Sequence, residues 1–135
     1  DNHLLLGFNG SAVLDTNNNT LLRNRKVLIV ACCSEYFAND CIKKGVLYYI
    51  GYHGQPYIPM SSDSLFVQDC FKRPNNNTAQ SVLSSGSILR KIEEKMRELY
   101  DELIAQLFDN PETEYLALFL NSNLQKLTIK YGTCV

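Results

Sequence analysis

The 135 residues are enough for one domain with a real core, in which roughly two-thirds of the unfolded surface is buried. With 45% hydrophobic and 20% charged residues, and only 7 Gly and 4 Pro, the composition excludes a disordered, collagenous or repeat chain. The 13 Lys+Arg against 14 Asp+Glu leave a net charge of -1, so no whole-molecule field draws the protein to nucleic acid or to anionic lipid.

Two apolar bursts, Leu4-Leu5-Leu6 and Ala12-Val13-Leu14, flank Asn9-Gly10 and predict a β-hairpin. An asparagine-rich loop over 15–20 and a basic patch, Arg23, Arg25 and Lys26, lead into Lys26-Val27-Leu28-Ile29-Val30-Ala31. That unbroken apolar run predicts a strand buried on both faces, the habit of a parallel sheet. Ser34 as N-cap and Glu35 in the first turn open a helix carrying Phe37, Ala38, Cys41 and Ile42, which Gly45 ends. Val46-Leu47-Tyr48-Tyr49-Ile50-Gly51 is the next buried strand, so 27–51 forms a β-α-β unit with a right-handed crossover and two adjacent parallel strands.

Gly54-Gln55-Pro56-Tyr57-Ile58-Pro59 reads as a loop, because each Pro pushes its predecessor out of the helical region. Ser61-Ser62-Asp63 then caps a helix to about Lys72. A loop over 73–77 and a short helix over 78–84 follow, and Ser85-Gly86-Ser87 opens the longest helix. In it Ile88, Leu89, Ile92, Met96, Leu99, Tyr100, Leu103, Ile104 and Leu107 repeat at helical spacing, leaving the charged residues on a solvated face. Pro111 restarts a helix after Asn110, and the alternating stretch from Leu124 to Gly132 predicts an edge strand.

This pattern specifies an α/β fold in one domain spanning 1–135, with a sheet portion over 1–60 that holds the cysteine strand and a mainly helical portion over 61–135. Asp1-Asn2-His3 runs at once into an apolar burst with no initiator Met, so the domain reads as partial. A two-stranded parallel pair leaves long apolar edges open, which predicts an upstream half of the domain, or a partner chain, that adds strands alongside Val27–Ala31 and carries the base. Five cysteines at spacings that fit neither a disulfide scaffold nor zinc knuckles predict a reducing compartment, the cytoplasm, with no metal and no cofactor. The three N-x-S/T triplets, at Asn9, Asn18 and Asn76, reflect the asparagine runs. No apolar run approaches the roughly 20 residues of a membrane span.

Ligands of an open α/β sheet gather at the carboxyl ends of its parallel strands. Cys32 and Cys33 end the first strand and His53 the second, so a thiol and an imidazole fall on one edge. A thiol there also stands at a helix N-terminus, which stabilises a thiolate and an oxyanion. The opposing reading is a small core residue and a loop histidine. Because side chains alternate, at most one of the adjacent thiols faces a cleft. Cys41, Cys70 and Cys134 read as structural, and no Walker loop, Rossmann glycine triplet, H-E-x-x-H or G-x-S-x-G occurs.

The strand ending in Ala31-Cys32, a short helix, Lys44-Gly45-Val46 and then Tyr48-Tyr49-Ile50-Gly51-Tyr52 resemble the caspase-like cysteine peptidases, with the gingipain, clostripain and CHAT-domain groups nearest. The likeness extends over roughly 12–132 through Phe66-Val67-Gln68-Asp69-Cys70-Phe71, Ser85-Gly86-Ser87 and the closing Tyr131-Gly132. It implies a three-layer sandwich around a mainly parallel sheet and a cysteine endopeptidase acting on protein or peptide substrates, with Cys32 as nucleophile and a histidine as base. The family's catalytic histidine lies in a His-Gly motif upstream of the cysteine strand, and no such motif occurs here, so the resemblance implies either the cysteine-bearing part of a longer protein whose histidine lies before Asp1 or a degenerate, inactive relative; His53-Gly54 follows that strand and does not match the family position. Basic P1 side chains are common in these families, and Asp63 is the candidate counter-charge when it is not simply a helix cap. The alternative function is a catalytically inactive caspase-like module that binds or assembles through a tyrosine-rich edge, Tyr48, Tyr49, Tyr52 and Tyr57.

Overall fold

The computed structural model describes residues 5–6, 11–15, 17–60, 63–84 and 89–132. The chain divides into two compact units: one comprises the residues up to Gln55 together with those from Leu127 on, and the other is Pro56–Lys126. Among the described residues, the first holds the five strands, a 3-10 turn and one α-helix, and the second holds three α-helices.

In the sheet unit, β1 (Leu5–Leu6) and β2 (Ala12–Leu14) pair antiparallel, as the hairpin pattern predicts. The Asn9-Gly10 turn itself lies outside the described residues. The asparagine-rich loop is an Asx-closed turn: Asp15 Oδ1 accepts from the N–H groups of Asn17 and Asn18 at 2.7 and 2.9 Å. These bonds stabilise the ionised carboxylate and lower its pKa. A 3-10 turn, Asn19–Leu22, follows. Its buried Asn19 donates through Nδ2 to Asp40 and accepts from Lys44 Nζ at 2.6 Å, which ties this turn to the helix beyond.

β3 (Lys26–Leu28), α1 (Glu35–Lys43) and β4 (Tyr48–Tyr52) form the expected β-α-β unit, with Val27 opposite Tyr49 in a parallel register. Gly45, at φ +92, takes the left-handed conformation that ends α1. β5 (Leu127–Tyr131) lies on the other side of β4 and runs antiparallel to it, Ile129 opposite Ile50. The predicted edge strand is therefore present, but it starts at Leu127, because Leu124 and Gln125 belong to the helix before it. The expectation of a mainly parallel sheet is corrected: the order β3-β4-β5 contains one parallel and one antiparallel pairing. Only the first pairing is made through a crossover helix, and the returning chain enters beside β4 from the opposite end.

The central strand β4 is buried at every position, as predicted. The run before Cys32 is not: β3 stops at Leu28, and Val30 is 46% exposed. β-branched residues report a strand's propensity, but what covers its faces decides its burial. Leu14, Val27, Phe37, Ala38, Cys41, Val46 and Tyr49 make the core of this unit.

In the helical unit, α2 (Leu65–Leu83), α3 (Leu89–Phe108) and α4 (Glu114–Gln125) bury Val67, Phe71, Ile92, Met96, Tyr100, Leu103, Leu107, Leu116 and Leu120. The predicted periodicity of α3 holds over Ile92, Met96, Tyr100, Leu103 and Leu107, while Ser85-Gly86-Ser87 and Ile88 lie outside the described residues; Arg97–Glu93 at 3.1 Å is one of its solvent-face i, i+4 pairs. The loop at 73–77 and separate helix at 78–84 are corrected, because α2 runs unbroken through Pro74. Buried Val67, Cys70, Phe71, Pro74 and Thr78 form one stripe, so packing outweighs the lost backbone bond. Thr78 Oγ1 donates to the carbonyl of Pro74 at 2.7 Å.

Two caps also differ from expectation. Of the expected Ser61-Ser62-Asp63 cap, Ser61 and Ser62 lie outside the described residues, and Ser64 instead of Asp63 caps α2, its Oγ accepting from the N–H of Val67 at 3.2 Å. α4 starts at Glu114, behind Thr113 rather than at Pro111. The segment after Pro56 is fastened by buried Asn123, whose Oδ1 accepts from the N–H of Tyr57 at 2.7 Å and whose Nδ2 donates to its carbonyl at 2.8 Å. The Tyr57 ring stacks on Phe119 with centroids 4.6 Å apart.

Candidate active site at the sheet edge

The chain turns sharply between β3 and α1. Ile29 still donates to the carbonyl of Ile50 at 2.9 Å, extending the ladder by one bond, and residues 31–34 then make the turn that carries both exposed thiols. Cys32 therefore sits in this turn rather than continuing the strand. Cys33 has φ +54, a left-handed conformation that costs a non-glycine residue about 1–2 kcal/mol.

Three contacts hold this conformation against the end of β4. The N–H of Cys33 donates to the carbonyl of Gly54 at 2.6 Å. Ser34 Oγ accepts from the N–H of Tyr52 at 2.8 Å, and the Tyr49 hydroxyl donates to the Ser34 carbonyl at 2.5 Å. Ser34 was expected to cap α1 with its side chain; the hydroxyl instead binds the neighbouring strand and makes no capping bond. Gly51 makes this approach possible, since a Cβ there would lie 2.6 Å from Ser34 Oγ.

Beside this turn stands an imidazole–carboxylate pair. His53 Nδ1 lies 2.9 Å from Glu35 Oε1, with the His53 side chain 74% and the Glu35 side chain 15% exposed. The other carboxylate oxygen, Oε2, is buried and has no hydrogen-bond partner among the described residues. Cys32, Cys33, Glu35 and His53 are thus gathered at one end of the parallel pair, the place where such sheets bind ligands. By sequence Glu35 is a first-turn acid of α1, and its contact with His53, 18 residues away, has no local signal.

Asp63, the candidate counter-charge, belongs to the helical unit, where its Oδ2 accepts from the N–H of Met60 at 2.6 Å and closes a turn. Tyr48, Tyr49 and Tyr52 are buried, so three of the four tyrosines of the suggested recognition edge are not surface residues. A groove of about 610 Å³ in the helical unit is lined by Thr78, Ser81, Lys95, Met96 and Glu98 among others. Among the described residues no group of His, Cys, Asp and Glu is arranged to hold a metal ion. No helix of the described residues is long and apolar enough to cross a membrane.

The buried thiols behave differently from the exposed pair. Burial pushes Cys41 up to about 11, with Asp40 adding to the rise and Lys44 opposing it, and burial also raises Cys70. A folded-state value above the unfolded one means that Cys41's contribution is intact below the unfolded value and is lost as pH climbs toward 11. The urea midpoint therefore falls over that alkaline range, and falls less steeply in Cys41→Ala. At neutral pH an alkylating reagent modifies Cys32 and Cys33 in the native protein and reaches Cys41 and Cys70 only after unfolding; early modification of Cys41 contradicts its burial.

Comparison with family models, with curated proteins and with solved structures finds no match to this chain.

Proposed function

We propose that the chain carries the nucleophile and base of a cysteine endopeptidase of the caspase-like kind, built as a three-layer α/β sandwich. The observation that carries this reading is the His53–Glu35 pair standing beside the exposed thiol turn at the ligand end of the parallel strands. His53 takes the Cys32 proton as the Sγ attacks the scissile carbonyl and returns it to the departing amine as the tetrahedral adduct collapses. Water then hydrolyses the thioester and regenerates the thiol. α1 begins directly after the same turn, so its N-terminal dipole favours negative charge developing on the carbonyl oxygen.

The substrate is a protein or peptide. An upstream half of the same domain, or a partner chain, extends the sheet along β3, which has a hydrogen-bonded neighbour on one side only among the described residues. Free Cys32, Cys33, Cys41 and Cys70 suit a reducing compartment, the cytoplasm. On this reading the base is His53, which follows the cysteine strand instead of standing at the family's upstream position. The alternative, a non-catalytic module binding through its tyrosines, is weakened by the burial of Tyr48, Tyr49 and Tyr52.

A peptide library with a fluorogenic leaving group, offered to the wild-type chain and to Cys32→Ala and His53→Ala, tests the reading. Either substitution removes thiol-dependent cleavage, by about a hundredfold or more. Cleavage that survives in Cys32→Ala contradicts the proposal.

A further inference from the structure

We infer that Glu35 is a positioning residue that holds His53 in the tautomer with its hydrogen on Nδ1, so that Nε2 is the proton acceptor; the inference rests on the reading of Cys32 and His53 as nucleophile and base. A carboxylate has no hydrogen to donate, so the 2.9 Å contact between Glu35 Oε1 and His53 Nδ1 requires the hydrogen to be on the ring nitrogen. The lone pair of the neutral ring then resides on Nε2. A histidine without such a partner favours the opposite tautomer in water, so the contact selects the form that a base needs.

Two further observations separate this pair from an ordinary surface ion pair, which constrains little. The Glu35 carboxylate is held inside the fold: its side chain is only 15% exposed, and Oε2 is buried without a hydrogen-bond partner among the described residues. Burying such an oxygen costs free energy that a solvated pair avoids, so the fold tolerates the cost to place Oε1 against the ring. Both members are also anchored. Glu35 follows Ser34, whose hydroxyl is bonded to the N–H of Tyr52, and His53 precedes Gly54, whose carbonyl is bonded to the N–H of Cys33. Carboxylate, imidazole and thiol turn thus share one backbone frame, and Glu35 supplies the third member that orients the base.

The test is nitrogen-15 NMR of the histidine rings in the full chain at alkaline pH, with the other histidine, His3, as internal reference. It is coupled to the rate at which a peptide electrophile labels Cys32. Wild-type His53 shows the Nδ1–H pattern. In Glu35→Ala, which keeps a good helix former in the first turn of α1, the ring reverts to the Nε2–H pattern and Cys32 labelling slows by about tenfold or more. An Nε2–H pattern in the wild type, a pattern unchanged in Glu35→Ala, or a switched tautomer with an undiminished labelling rate overturns the inference. A tautomer that switches as described in a protein that never labels at Cys32 overturns the peptidase reading instead, so the two failures are distinguishable.

Discussion

Asn123→Ala lowers the unfolding free energy by about 3 kcal/mol, seen as a fall in the urea midpoint at unchanged slope. The asparagine is 4% exposed, and its amide makes both bonds that the Tyr57 backbone offers, at 2.7 and 2.8 Å. Truncation orphans an N–H and a carbonyl at once, each costing about 1–3 kcal/mol where water does not replace the partner. It also loosens the segment that sets the Tyr57 ring on Phe119 and Phe71. Asn123→Asp keeps the acceptor but loses the donor, so it falls between wild type and alanine. A change below about 0.5 kcal/mol, the size of an ordinary surface substitution, shows that the amide does not fasten this segment.

Gly51→Ala is the second large effect, and it links stability to chemistry. The added methyl meets Ser34 Oγ at 2.6 Å and the ring of buried Tyr49 at 2.8 Å, and both groups hold the thiol turn through Tyr52 N–H and the Ser34 carbonyl. Overpacking at such a site costs about 1–3 kcal/mol, and displacing the turn by even an ångström costs about a hundredfold in a reaction that depends on alignment. Labelling of Cys32 by a peptide electrophile therefore collapses while α2, α3 and α4, in the other unit, keep their helicity. Adding Ser34→Ala removes one of the two clashing atoms, so the double variant is less damaged than the sum of the single changes. Strict additivity, or a Gly51→Ala protein that labels at the wild-type rate, contradicts the close approach.

Much of the fold was legible because it rests on local periodicity. The β-α-β unit, the Gly45 stop, the α3 stripe and the alternating final strand are each encoded within a short window. What was not legible depends on residues far apart in the chain. The Arg73–Asn77 stretch reads as a loop because Pro and three asparagines are poor helix interiors; only the burial of Pro74 and Thr78 shows why the helix continues. The orientation of β5 follows from where the chain re-enters the sheet, which no alternation pattern records. At the site, the strand-end rule brought Cys32 and His53 to one edge, but two residues had further roles. Ser34 fits the rule for a cap so well that its bond to Tyr52 was hidden, and Glu35 fits the rule for a first-turn acid. A residue that satisfies a local preference gives no hint of a second, long-range partner.

The central claim, that the sheet edge is a cysteine peptidase site with Cys32 as nucleophile, is tested most directly by covalent mapping. The chain, alone and joined to an upstream segment, is treated with a peptide carrying an electrophilic carbonyl, digested, and the adduct located by mass spectrometry. The account predicts one adduct, on Cys32 Sγ, formed faster than on a free thiol, and suppressed in His53→Ala with the fold intact. An adduct confined to Cys33, or labelling at Cys32 no faster than a free thiol and indifferent to His53, contradicts it.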